Sequence, residues 1–180
     1  MKKTWAIIGL LVLGLLPKIG WAKDNKEVHK PNWEVVAENK EGIYSYDKNS
    51  LVYFPDSAKP QDIKEIKVTA KADILEENFL RLLQEKYGKK LKDQDKVANC
   101  ILHLVLNQPK KTYNITSVEL LSKAGKELSK KSLPEKFQPI PPKTFVAVLL
   151  EETTKTLQTQ VKGEKNATTG LSENQQIPKK

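Results

Sequence analysis

VANCILHLVLNQPKKTYNITSVELLSKAGKELSKKS, residues 97–132, decides the fold. Taken alone, the apolar run from Val97 to Leu106 suits either a strand or a buried helix, and Asp95 could cap the latter. The residues that follow point to the strand. Asn107-Gln108-Pro109 has the composition of a hairpin turn, and Tyr113 to Leu121 then alternates. That alternation sets Tyr113, Ile115 and Ser117 opposite Asn114, Thr116 and Val118. Ala124-Gly125-Lys126 turns the chain once more into Glu127 to Ser132, which makes a meander of about three strands.

Working upstream, Trp33 to Ala37, Ile43 to Tyr46 and Leu51 to Phe54 are short strand candidates separated by Asn39-Lys40-Glu41-Gly42 and Asp47-Lys48-Asn49-Ser50. Ile63, Ile66, Val68 and Ala70 predict a longer strand, with Lys64, Lys67, Thr69 and Lys71 facing water and an irregularity near Glu65. Asp73 then offers an N-cap carboxylate for a helix over 74–87 that carries Leu75, Phe79, Leu82 and Leu83 and stops at Gly88. Downstream, Pro139-Ile140-Pro141-Pro142 ends the sheet. Thr144 caps a closing helix with Phe145, Val148 and Leu149, and with Leu157 near its end. The expectation is an α+β domain: an antiparallel sheet with one internal helix and a C-terminal helix packed on it.

The domain spans about 32–157. Residues 1–22 have the order of a secretory signal: Lys2 and Lys3, an apolar run from Trp5 to Leu16, then Gly20-Trp21-Ala22. The apolar run is shorter than the ~20 residues that cross a bilayer, so the mature chain is expected outside the cytoplasm with no permanent membrane span. Residues 23–31 read as a flexible lead-in. Residues 158–180, polar and without a periodic face, read as a disordered tail.

The chain has 31 basic and 22 acidic residues; without Lys2, Lys3 and Lys18 the balance is 28 to 22, or +6. Lysine is interleaved with acid along the chain, and the densest spots, Lys89-Lys90-Leu91-Lys92 and Lys110-Lys111, are short. Arg81 is the one arginine among residues 23–180, which argues against reading DNA bases, and no nucleic-acid partner is expected. Cys100 is the single cysteine, so no internal disulfide can form. On a strand it shares a face with Leu102 and Leu104, which predicts a buried, inert thiol, while Ile101 and His103 point the other way. On a strand Cys100 and His103 therefore do not form a nucleophile and base; a dyad would require the helical alternative. With His29 and His103 as the only histidines, no metal set, catalytic group or cofactor motif is expected.

Tyr44, Tyr46, Tyr53 and Tyr113 are the candidate binding surface if they face outward; otherwise they supply core volume.

Four features resemble one family: Trp33 after a signal, Tyr46-Asp47-Lys48-Asn49-Ser50-Leu51, Asn99-Cys100 opening an apolar strand, and Phe137-Gln138-Pro139-Ile140-Pro141-Pro142-Lys143-Thr144. Over about 33–157 the chain resembles the surface-adhesin protein E-like family of small exported bacterial proteins. That family has Tyr-Asp-x-x-Ser-apolar, an acid before a central Cys, and a late Trp-x-x-Ile-x-Pro-x-Ser. Here Asn99 stands for the acid, Phe137 for the Trp and Thr144 for the Ser, and the family's late Cys has no counterpart. The resemblance implies a sheet with a packed helix and, by its best-known members, adhesion to host proteins. The functional expectation is an exported, adhesin-like protein, periplasmic, cell-surface associated or secreted, that binds a host or envelope protein without catalysis. The alternative is a periplasmic accessory that binds a small or peptidic envelope ligand between sheet and helices, a closed apolar pocket favouring this and an exposed aromatic face the former. The oligomeric state is left open.

Overall fold

The computed structural model describes residues 30–56, 63–92 and 94–169. The signal at 1–22, most of the lead-in and residues 170–180 lie outside the described residues. The strands are β1 (Trp33–Asn39), β2 (Gly42–Asp47), β3 (Val52–Pro55), β4 (Ile63–Ile74), β5 (Val97–Asn107), β6 (Thr112–Ser122), β7 (Glu127–Ser132) and β8 (Gln138–Pro139). Between β4 and β5 lies helix α1 (Glu77–Tyr87), and after β8 comes helix α2 (Phe145–Thr169). The fold is α+β. All eight strands join one antiparallel sheet in the order β1-β2-β4-β5-β6-β7, with β3 beside the first half of β4 and β8 beside the start of β6.

One face of this sheet carries the core. Ile66, Val68, Ala70, Ala72 and Ile74 of β4 and Cys100, Leu102, Leu104 and Leu106 of β5 are buried together with Phe79, Leu83 and Tyr87 of α1 and Phe145, Val146, Leu149 and Leu157 of α2. Both helices therefore cover the same face. The run from Val97 to Leu106 is a strand, because each of its even-numbered residues from Cys100 on faces the helices and its backbone pairs on both sides.

Two irregularities in β5 and β6 alter the parity expected from alternation. His103 pairs with Ser117 but Leu104 pairs with Ile115, so Thr116 is an extra residue in β6. The bulge puts Val118 and Leu120 on the core face with Tyr113 and Ile115, whereas strict alternation sets Val118 opposite them. A second bulge at Ala98 likewise turns Val97 into the core. The irregularity expected near Glu65 is present: Phe54 pairs with Glu65 and Pro55 with Ile63, leaving Lys64 as the extra residue.

The start of α1 also differs from expectation. Asp73 does not cap a helix; it lies within β4, paired with Ile43 and Asn99, and its carboxylate sits 2.8 Å from Lys71 Nζ. The apolar alternation from Ile66 continues to Ile74 and carries the strand past Asp73. The cap is Glu76, whose carboxylate accepts from the Asn78 and Phe79 amides at 3.1 and 2.7 Å. Starting at Glu77, the helix buries Phe79, Leu83 and Tyr87, one residue per turn, and leaves Leu75 and Leu82 exposed. Gly88 ends it, as the sequence indicates.

Pro139, expected to stop the sheet, is itself part of β8, opposite Thr112. The closing helix continues to Thr169, so residues 158–169 are helical rather than irregular. Once nucleated by its packed first turns, a helix extends through Gln, Lys and Glu at small cost per residue. Thr153, Thr154, Thr156 and Thr159 each donate a hydroxyl hydrogen bond to the carbonyl four residues back, at 2.7 to 3.0 Å. The last buried side chain described on α2 is Leu157.

Candidate functional site

The tyrosines offered by the sequence as a binding surface divide three to one. Tyr44, Tyr46 and Tyr113 are buried, and only Tyr53, at 43% exposure, faces solvent. Tyr44 stacks on Phe145 with ring centroids 4.9 Å apart and planes 12° from parallel. The Tyr46 hydroxyl lies 3.1 Å from the Thr156 hydroxyl, tying β2 to α2. Their large rings fill the space between sheet and helix, so the expected outward face exists only at Tyr53. There Val52 and Phe54 are exposed as well, on a short strand paired to β4 alone among the described residues.

A concave site forms elsewhere, where the β5–β6 turn, the proline segment and α2 converge. In the turn, Lys110 N donates to Asn107 Oδ1 at 3.1 Å and Lys111 takes a left-handed backbone, φ 49°. The segment after β8 is held against this turn by Ile140 N donating to Lys111 O at 2.9 Å. Thr144 fixes the next bend, donating to Pro141 O at 2.8 Å and accepting from Ala147 N at 3.4 Å. From there α2 presents Ala147, Leu150, Glu151, Thr154 and Lys155, a stripe at helical spacing beside the one that enters the core.

The groove has a volume of about 520 Å³, within the size range of sites that hold small organic ligands. Ile140, Pro142, Ala147 and Leu150 give it apolar walls. Its polar lining comes from Gln108 and Lys111 of the turn and from Glu151, Thr154 and Lys155 of α2. Lys155 is held 3.0 Å from both Glu151 and Glu152, so its charge is partly matched. Lys111 contributes a second cation, from the turn. Such a site suits an amphipathic ligand, with its apolar body against Leu150 and an anionic group toward Lys111.

Nothing in the sequence reading singled out this groove, since Gln108 to Lys111 read as a turn and Pro139 to Pro142 as a stop. The available signal was the small and apolar pair Ala147 and Leu150 on α2, outside the core stripe.

On the opposite face of the sheet a polar row crosses four strands. The Thr69 hydroxyl lies 3.1 Å from His103 Nδ1, His103 Nε2 lies 3.3 Å from Glu119 Oε1, and Lys130 Nζ lies 2.8 Å from that same oxygen. A carboxylate can only accept, so Nε2 donates to Glu119; the Thr69 hydroxyl, which can donate or accept, meets Nδ1. These contacts link β4 through β7. Cys100, three residues from His103, points into the core, and burial pushes its thiol up to about 12. The two do not meet. Among the described residues, no group of three His, Cys, Asp or Glu could hold a metal ion, and no helix is long and apolar enough to cross a membrane.

The row carries a pH dependence. The His103 hydrogen bond, assisted by Lys130 and opposed by burial, lowers the Glu119 carboxyl from an ordinary 4.5 to about 2. Ionised Glu119 therefore favours the folded state above its ordinary value, and this contribution fades as pH falls from about 4.5 toward 2. Glu119→Gln is expected to lose roughly 1–3 kcal/mol near neutral pH and to flatten the fall in stability with acid. Urea unfolding at about pH 6 and pH 3 checks this; equal acid slopes in the two proteins would contradict it.

No family model, curated protein or solved structure matches the chain.

Proposed function

We propose that this is an exported protein of the bacterial envelope that acts by binding, without catalysis, and takes a small or peptidic ligand in the groove between α2 and the β5–β6 turn. The single observation that supports this is the groove itself: a volume of about 520 Å³ with a lining that combines apolar residues and a few charged ones. Three of the four candidate tyrosines are in the core, which moves the weight from an aromatic adhesive face to this concave site. Adhesin-like binding to a host or envelope protein is the second reading. Its support is the exposed Val52-Tyr53-Phe54 edge of β3, where an extended segment could add to the sheet.

An anilinonaphthalene sulfonate has the required chemistry, an apolar ring system with one anionic group. Its fluorescence is expected to rise on mixing with the folded protein. Ala147→Trp, which fills the groove at a half-buried position, should abolish most of that rise, and Lys111→Gln should weaken it severalfold. An unchanged signal in Ala147→Trp, with loss in Tyr53→Ala instead, would move the site to β3.

A further inference from the structure

β5 runs from one end of the sheet to the other, and the groove lies at its C-terminal end near Asn107. At the opposite end the chain gathers charge that is scattered in the sequence. The Lys123–Lys126 turn after β6 packs beside the segment that follows α1. Lys123 N donates to Lys96 O at 2.7 Å, Lys90 Nζ donates to Leu128 O at 2.7 Å, and Lys126 Nζ donates to Lys90 O. Segments 81–96 and 123–126 together hold eight basic residues against three acidic ones, with Glu127 next in the chain.

Asp95, one of those acids, is engaged by backbone amides, accepting from Lys96 N at 2.9 Å and Ala124 N at 3.2 Å. Glu76 and Glu77 are at the far end of α1, and Glu76 serves its cap. Among the described residues of these two segments Glu85 is the exposed acid, beside exposed Lys86. The side chains of Lys86, Lys89, Lys92, Lys96 and Lys123 are all exposed. Leu82, 46% exposed, stands one helical turn before Lys86 on α1, where a solvated helix face would carry a polar residue.

We infer that this end of the molecule docks on an anionic phospholipid surface, with the lysines against headgroup phosphates and Leu82 entering the boundary with the acyl chains. Lysine is a point charge suited to phosphates rather than to base edges. An exposed leucine beside a basic patch gains free energy from a lipid boundary, which a dissolved polyanion does not provide. The surface lies at the other end of β5 from the groove, so it stands or falls independently of the ligand proposed there.

Sedimentation with vesicles tests the inference, using the full chain after removal of any signal segment. Binding is expected to equimolar phosphatidylglycerol and phosphatidylcholine, not to phosphatidylcholine alone, and should weaken as salt rises from about 0.01 M to 0.15 M. Each of Lys86→Glu, Lys89→Glu and Lys123→Glu should weaken it about fivefold or more. The triple variant, altered only at exposed positions, should still melt cooperatively while losing the vesicles. Leu82→Ser should weaken binding at every salt concentration. Binding to neutral vesicles, binding unchanged in the triple variant, or capture by a DNA duplex without capture by vesicles would each overturn the inference. An unaltered Leu82→Ser variant would overturn the insertion of Leu82.

Discussion

Tyr44→Ala is expected to cost about 3–5 kcal/mol, enough to unfold a large fraction of a marginally stable domain. Tyr44 is buried against Phe145, and its removal leaves a ring-sized cavity between β2 and the first turn of α2. Its hydroxyl, by contrast, makes no well-formed hydrogen bond among the described residues, only a weak approach to the Asn39 side chain. Tyr44→Phe should therefore be neutral or stabilise by up to about 1 kcal/mol. Tyr53→Ala, on the exposed edge, should change stability by less than about 1 kcal/mol. Urea titrations of the three variants separate a core role from a surface role for these tyrosines. A Tyr44→Ala protein as stable as wild type would return Tyr44 to the surface.

Deletion of His103 should have the larger effect, loss of cooperative folding. β5 pairs with β4 residue for residue from Asn99 to Asn107, so with one residue gone it can keep that register on only one side of the gap. Either Cys100 and Leu102 or Leu104 and Leu106 must then leave the core face. All four are buried, and the surface lost exceeds what a domain of this size can spare. Deletion of Thr116, by contrast, sets Ile115 and Ser117 in direct succession opposite Leu104 and His103 and restores plain alternation, so that variant should fold. A His103 deletion with a sharp thermal transition near the wild-type temperature would show that β5 tolerates either parity.

These cases mark where the sequence was legible. Strand positions followed from turn residues and alternation, and the burial of Cys100 with Leu102 and Leu104 followed from parity within one uninterrupted stretch. Parity failed wherever a bulge intervened, since neither Thr116 nor Ala98 differs in composition from its neighbours. Asp73 and Glu76 lie three residues apart, and both have a carboxylate suited to a cap. Only the pairing of β4 with both β2 and β5 decides that Asp73 is still strand. The groove and the lysine end depend on contacts between residues tens of positions apart, such as Ile140 with Lys111 and Lys123 with Lys96. No local pattern encodes those contacts. Of the candidate binding residues, only Tyr53 keeps the exposure that role requires.

The central claim is that the protein binds its ligand in the groove, and backbone amide mapping by NMR during titration with the anilinonaphthalene sulfonate tests it most directly. Shifts should concentrate on Gln108, Lys111, Ile140, Ala147 and Leu150 and saturate together. Shifts confined to Val52, Tyr53 and Phe54, or none above the level of a sulfonate lacking the aromatic rings, would contradict it.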